Sequence, residues 1–259
     1  YKKTVSTKLY DDFKKLVRKT RNDYKAFLTQ MEAYAPLYVQ IINPKLEYYD
    51  NRQEYRWLVQ SLKNLTDTFG IVQVRVPLMA LLDAKNRDAL SMAAFKKCIT
   101  YLENFHFAFN VIVSDRGNKL DSTYSKFAIE LNKSQNKADS NTLVEGLIKN
   151  LDKQFPTYNQ FRDEFVKMHY YKETQPANTK TKYAISKLNA YFSGEEVFPT
   201  NLSMEHICPE SGSQSSRNIG NLILLETKLN QEADQNKYED KKRIYKKSQV
   251  KWITQFLDE

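Results

Sequence analysis

Glu205 and His206 stand side by side near the end of a short apolar segment that begins at Leu202 and stops before Pro209. A second apolar segment, 222–225, follows a turn at Gly220 and opens on Asn221. Asn230 falls on the helix expected next. Nowhere else in the 259 residues does a histidine adjoin a hard metal ligand with amide ligands downstream. These residue types suit one kind of chemistry. Hydrolysis of a phosphodiester needs a base to deprotonate water and a cation to stabilise charge on the phosphate and the leaving oxygen. Histidine side chains ordinarily titrate near neutrality, which suits the base. Carboxylate and amide oxygens suit Mg²⁺ or Mn²⁺ better than zinc. Neighbours on a strand point to opposite faces, so Glu205 and His206 share a site only if the strand ends or bends there. Asn221, just after the glycine turn, is placed to pin the loop that carries His206.

The phrases EHICPE (205–210), IGNLILLETKLN (219–230) and YEDKKRIYKKS (238–248) resemble the His-Me finger nucleases, also called HNH or ββα-metal nucleases. They look most like the C-terminal nuclease domain of GmrSD-type and SspE-type restriction proteins. That resemblance implies His206 as general base, Glu205 and Asn230 as holders of one Mg²⁺ (or Mn²⁺), and Asn221 as the structural middle residue of the catalytic set. It implies a metal-dependent DNA endonuclease that nicks one strand, acting as the effector half of an anti-phage restriction protein. A sensor or nucleotide-hydrolysing domain would precede it in the full-length protein, and a homodimer would serve double-strand cutting. Two positions depart from the family pattern. Glu205 stands where the wider superfamily has Asp, and Glu210 where Gln often follows the proline. Taken singly, an acid-histidine pair at a strand end is usually solvated, and an Asn before an apolar run is usually a turn residue. Their order and spacing together favour a nuclease site. The alternative is a catalytically inactive HNH-like module that binds DNA or regulates; retention of Glu205, His206, Asn221 and Asn230 argues against it.

Composition agrees with a polyanion partner. The net charge is +9 and the pI about 9.2, though basic charge does not separate DNA from RNA. Gly and Pro are sparse and aromatic residues abundant, a mainly α profile. No apolar run spans a membrane. The first residues carry no signal peptide, and the chain is expected to be part of a longer or processed cytoplasmic protein. With Cys98 on an apolar helical stripe and Cys208 beside the proposed site, neither a CxxC zinc knuckle nor a disulfide is expected. No P-loop or GxGxxG is present, so nucleotide hydrolysis is not expected of this chain.

The elements that must position the site follow from periodicity. Residues 1–34 read as one long basic helix with Leu9, Phe13, Leu16 and Val17 on its apolar face, and Pro36 and Pro44 bracket a break. Amphipathic helices are expected over 52–64 and from about 76 to 84. A long one follows over 88–113, with Phe95, Cys98, Ile99, Leu102, His106 and Phe109 on one face. A turn over 114–118 leads to a helix from Asp121 or Ser122. Lys133 to Ser140 reads as an exposed loop before a capping box at Thr142 and Glu145. A helix over 159–171 makes His169 structural, and another spans 179–192. The polar connector 172–178 places the domain transition, with a helical domain over 1–175, and the resemblance implies a ββα-metal unit over 176–259. The basic tail then offers Lys241, Lys242 and Lys246 to flanking phosphates.

Overall fold

A computed structural model describes residues 9–16, 20–115, 120–171, 177–211 and 214–258. The chain divides into two compact units, Tyr1–Pro156 and Thr157–Glu259. Mainly helical structure carries one small antiparallel sheet near the C-terminus.

In the first unit the basic N-terminal stretch is two helices, α1 (Leu9–Leu16) and α2 (Arg21–Ile42). The break has a local cause. Thr20 caps α2, its Oγ1 accepting the Asp23 N–H at 3.2 Å, and that cap fixes a helix start where one continuous helix was expected. Phe13 meets Phe27 edge-on at 4.9 Å, so this residue of α1 lies against α2. Val17, expected on the apolar face, lies outside the described residues. The break expected between Pro36 and Pro44 falls near the end of that span, after Ile42. Proline costs an interior helix one hydrogen bond, but α2 runs through Pro36 to Ile42, carrying Leu37, the next residue, and Ile41, a turn further on, into the core.

Helices α3 (Arg56–Lys63), α4 (Arg75–Asn86), α5 (Met92–His106), α6 (Asp121–Lys133) and α7 (Lys137–Asp152) complete this unit. Leu58, Leu62, Leu78, Leu81, Phe95, Ile99, Leu102 and Phe105 are buried between them. The expected stripe of α5 faces inward, and burial pushes the Cys98 thiol up to about 12. Both cysteines are free thiols. The expected capping box at Thr142 and Glu145 lies inside α7. The cap is Asn136, whose Oδ1 accepts the Asp139 N–H at 2.9 Å, while Thr142 Oγ1 donates back to Ala138 O. The second half of the expected polar loop, from Lys137 to Ser140, is thereby the first turn of the helix.

The second unit begins with α8 (Tyr158–Phe165), started by a capping box of Thr157 and Gln160. The expected helix over 159–171 stops early, and residues 168–170 run beside 217–219. Tyr170 N–H donates to Arg217 O at 2.8 Å, Ile219 N–H to Met168 O at 2.9 Å, and His169 bridges Asn218. These bonds place 157–171 with the C-terminal elements, so the expected transition at 175/176 falls inside the second unit. Helix α9 (Ala177–Ser193) ends before Gly194, whose φ of +70° suits a helix stop. Strands β1 (Leu202–His206) and β2 (Leu222–Glu226) pair antiparallel, with Met204 opposite Leu224 and His206 opposite Leu222. Helices α10 (Thr227–Ala233), α11 (Tyr238–Tyr245) and α12 (Lys251–Asp258) follow. Ile223 and Leu225 form a core with Ala233, Ile244, Tyr245 and Ile253. Among the described residues no helix is long and apolar enough to cross a membrane.

At the end of α5, His106 lies within the core between Tyr124 OH, 2.7 Å from Nε2, and Asn110 Oδ1, 2.5 Å from Nδ1. An amide oxygen only accepts, so Nδ1 carries the proton and the Tyr124 hydroxyl donates to Nε2. Burial lowers its pKa from 6.5 to about 4, with the Asn110 bond opposing. A depressed histidine pKa means that the folded state binds fewer protons than the unfolded one below pH 6.5. Stability is therefore intact above pH 6.5 and falls as pH drops towards 4. Urea unfolding at pH 4.5 should show a loss of about 2–3 kcal/mol relative to pH 7 from this group. His106→Gln should flatten that part of the pH profile while lowering stability at pH 7.

Candidate active site

Strand β1 delivers Glu205 and His206 to its end, and one open cleft of about 350 Å³ takes both. Tyr170, Ser203, Met204, Glu210, Thr227, Asn230 and Asp234 also line it. The strand stops at His206, which is the condition under which an alternating pair can share a site.

Glu205 is only 3 % exposed, yet it is not left as an unpaired charge. Its Oε1 accepts hydrogen bonds from Lys241 Nζ at 2.8 Å and from the Tyr245 hydroxyl at 2.7 Å. Burial and the bond to Glu205 push the Tyr245 phenol far above its ordinary range. Both bonds use Oε1, and Oε2 takes none among the described residues. Lys241 Nζ makes a second bond, to the His206 carbonyl at 2.6 Å. One ammonium thus ties together the backbone and the carboxylate at the end of β1. This overturns the expectation that Lys241 contacts DNA. At 1 % exposure it has no surface to offer a phosphate. Lys242 and Lys246 stay at the surface; Lys242 is half-buried and paired with Glu239 at 3.3 Å, and Lys246 is exposed. The sequence carried a signal for the difference. Tyr238, Lys241 and Tyr245 fall at i, i+3 and i+7, so Lys241 lies on the apolar stripe of α11.

His206 is half-buried, with Nε2 3.3 Å from the Tyr170 carbonyl oxygen and its ring centroid 5.7 Å from that of Tyr170. A carbonyl only accepts, so the neutral ring that makes this bond carries its proton on Nε2 and its lone pair on Nδ1. Tyr170 is a residue the sequence reading missed, because the helix expected over 159–171 hid it.

Asn221 does what its place after the glycine turn suggests. Its Oδ1 accepts the Cys208 N–H and its Nδ2 donates to the Cys208 carbonyl, both at 2.8 Å, with a further bond to Ser216 O at 2.6 Å. The side-chain amide stands in for a neighbouring strand and fixes the chain just beyond His206. Asn230, on α10, donates from Nδ2 to Met204 O and to Ser203 Oγ, both at 2.8 Å. Its Oδ1 is not engaged by either bond. The neighbouring Asp234, also on the cleft, has φ +35°, an unusual conformation for a residue with a side chain.

Glu205 Oε2 and Asn230 Oδ1 are therefore two oxygens left open on residues that line one cleft. As a donor set they fit a hard cation that keeps several of its waters. Among the described residues no three His, Cys, Asp or Glu side chains gather as a fuller protein cage.

Residues 155–259 match the family of GmrSD restriction endonucleases, C-terminal domain. The matched span contains the whole second unit, from α8 to the chain end, and so every residue of this cleft. The C-terminal unit is thus similar to a restriction-endonuclease domain. No curated protein matches the chain.

Breaking a buried ion pair from one side leaves an uncompensated charge. Lys241→Met should cost about 3–5 kcal/mol in urea unfolding, and the double change Glu205→Gln with Lys241→Met should recover part of that loss. Lys246→Met should stay within about 0.5 kcal/mol. A Lys241→Met variant as stable as the wild type would refute the buried pair.

Proposed function

We propose that the C-terminal unit is an HNH-type endonuclease that hydrolyses phosphodiester bonds in DNA, with His206 as general base. The observation that carries this reading is the position of the His206 ring. It is held by the Tyr170 carbonyl at Nε2, in the same cleft as Glu205 and Asn230, within the span similar to GmrSD C-terminal domains.

The chemistry follows from the atoms. Nδ1 of His206 takes a proton from water, and the hydroxide formed attacks phosphorus in line with the departing oxygen. The Tyr170 carbonyl keeps the ring in the tautomer that has Nδ1 free, and accepts from the Nε2–H of the imidazolium once it forms. Glu205 through Oε2 and Asn230 through Oδ1 would hold Mg²⁺ or Mn²⁺. Such a cation supplies Lewis-acid stabilisation of charge on the phosphate and leaving oxygen. Lys241 and Tyr245 orient Glu205 by holding its other oxygen. Asn221 fixes the chain at Cys208, so the end of β1 keeps its geometry when substrate arrives. Lys242 and Lys246 supply positive charge at the surface of α11 and just beyond it.

One such cleft per chain cuts one strand, so a single chain nicks, and a double-strand break takes two chains or two events. The biological role that fits is the effector half of a restriction or anti-phage protein, working with a sensor or nucleotide-hydrolysing domain elsewhere in the full-length protein.

Supercoiled plasmid incubated with the protein and Mg²⁺ or Mn²⁺ should convert to open circles, and EDTA should stop the conversion. His206→Ala should lower the rate by about 10²–10⁴-fold. Plasmid binding without metal-dependent nicking would replace this reading with that of an inactive DNA-binding module.

A further inference from the structure

A second cleft, of about 310 Å³, lies along the same short segment that touches His206. It is lined by Lys167, His169, Tyr171, Gln214, Arg217 and Asn218. The segment serves two clefts because its residues alternate. Tyr170 lines the His206 cleft, whereas His169 and Tyr171 line the second one.

The chemistry of this lining is one-sided. Among the described residues it holds two cations, an imidazole, two amides and a phenol, and no carboxylate. The Arg217 guanidinium stacks on the Tyr171 ring with its carbon 3.9 Å from the centroid. Its Nε is buried and has no hydrogen-bond partner among the described residues. A buried donor without an acceptor is costly and uncommon in a finished fold. Arg217 as a whole is only half-buried, so a ligand meets it through the terminal N–H groups beyond Nε. Lys167 meets Glu164 only at the surface, where both side chains are exposed, so its ammonium is held weakly.

The cleft is also held in shape. His169 bridges Asn218, and Tyr170 N–H donates to Arg217 O at 2.8 Å. Asn178 grips Tyr171 from both sides, accepting its N–H at 3.1 Å and donating to its carbonyl at 2.5 Å. Tyr170 links the two clefts directly. Its N–H meets the Arg217 carbonyl and its own carbonyl meets the His206 ring.

We propose that the Lys167, His169 and Arg217 cleft binds a backbone phosphate of the DNA strand that is cut at His206, with Arg217 as the principal donor. This rests on the nuclease reading of the His206 cleft. A guanidinium stacked on an aromatic ring presents its remaining N–H groups as a fixed fork, the geometry suited to a phosphate. A phosphate gripped beside the reacting one fixes the register of the strand without reading its sequence.

The test uses the full chain and two readouts. Binding to a fluorescein-labelled 20-base-pair duplex is followed by anisotropy in EDTA over a range of salt. Nicking of plasmid is followed with Mg²⁺. For Lys167→Gln with Arg217→Gln we expect Kd to rise about tenfold and the slope of log K against log salt to become shallower by about 1–2. We expect KM for nicking to rise with kcat nearly unchanged. Arg217→Lys, which keeps the charge but loses the fork, should weaken binding about threefold, and its smaller change guards against misfolding of the double variant. Lys63→Gln with Lys149→Gln removes the same charge from exposed positions of the first unit and should move Kd by less than twofold. If wild type nicks but the Lys167/Arg217 variant binds like the Lys63/Lys149 variant, the phosphate cleft is overturned and the nuclease reading stands. If wild type never nicks while the Lys167/Arg217 variant still loses binding, the nuclease reading falls and the phosphate cleft stands.

Discussion

A single buried ammonium holds the candidate site together. Lys241 lies between the Glu205 carboxylate and the His206 carbonyl, with the Tyr245 hydroxyl on the same carboxylate oxygen. An ion pair this deep gives little net stability, because desolvating both charges offsets most of their attraction. What it gives is position. The carboxylate is held in one orientation with one oxygen committed, and the backbone of the histidine is tethered to the same point. The core of the second unit is built to keep that point dry. Ile223 and Leu225 from β2 pack with Ile244, Tyr245 and Ile253, and the helix that supplies Lys241 also supplies part of this core.

Asparagine amides do the rest of the positioning. Asn221 grips Cys208, and Asn178 grips Tyr171, each by offering one donor and one acceptor to the backbone of a single residue. That pairing is what a neighbouring strand would provide. A two-stranded sheet has few strand neighbours, so side chains complete the backbone hydrogen bonds that a larger sheet would satisfy internally. The clamped residues lie just beyond His206 and just beyond Tyr170, whose carbonyl orients that histidine.

Much of this was legible from sequence, for reasons specific to each element. The two strands announced themselves as apolar segments separated by a glycine turn, and the order Glu205, His206, Asn221, Asn230 was visible as spacing alone. The α5 stripe placed Cys98 and His106 in the core, where they lie. Other features were hidden by competition between local and long-range effects. The 168–171 segment has helical periodicity, but its backbone bonds to 217–219 win, and no local pattern reports a partner so distant in the chain. Lys241 looked like one of several tail cations, since charge count is visible in a sequence and burial is not. The break expected between Pro36 and Pro44 comes only after Ile42, because the core contacts of Leu37 and Ile41 outweigh the cost of a proline inside the helix.

The outer edge of β1 has a bearing on solubility. In an antiparallel pair every second residue turns its backbone groups away from the partner strand, and here those residues include Met204 and His206. Their carbonyls are taken by the Asn230 amide and the Lys241 ammonium. The open side of the sheet is thus plugged by side chains from α10 and α11, and offers no row of free acceptors to a strand from another molecule. The two residues that shape the cleft also guard an edge that would otherwise invite intermolecular strand pairing. A variant that empties either position would expose backbone as well as disturb chemistry, and its first symptom at high concentration would be aggregation.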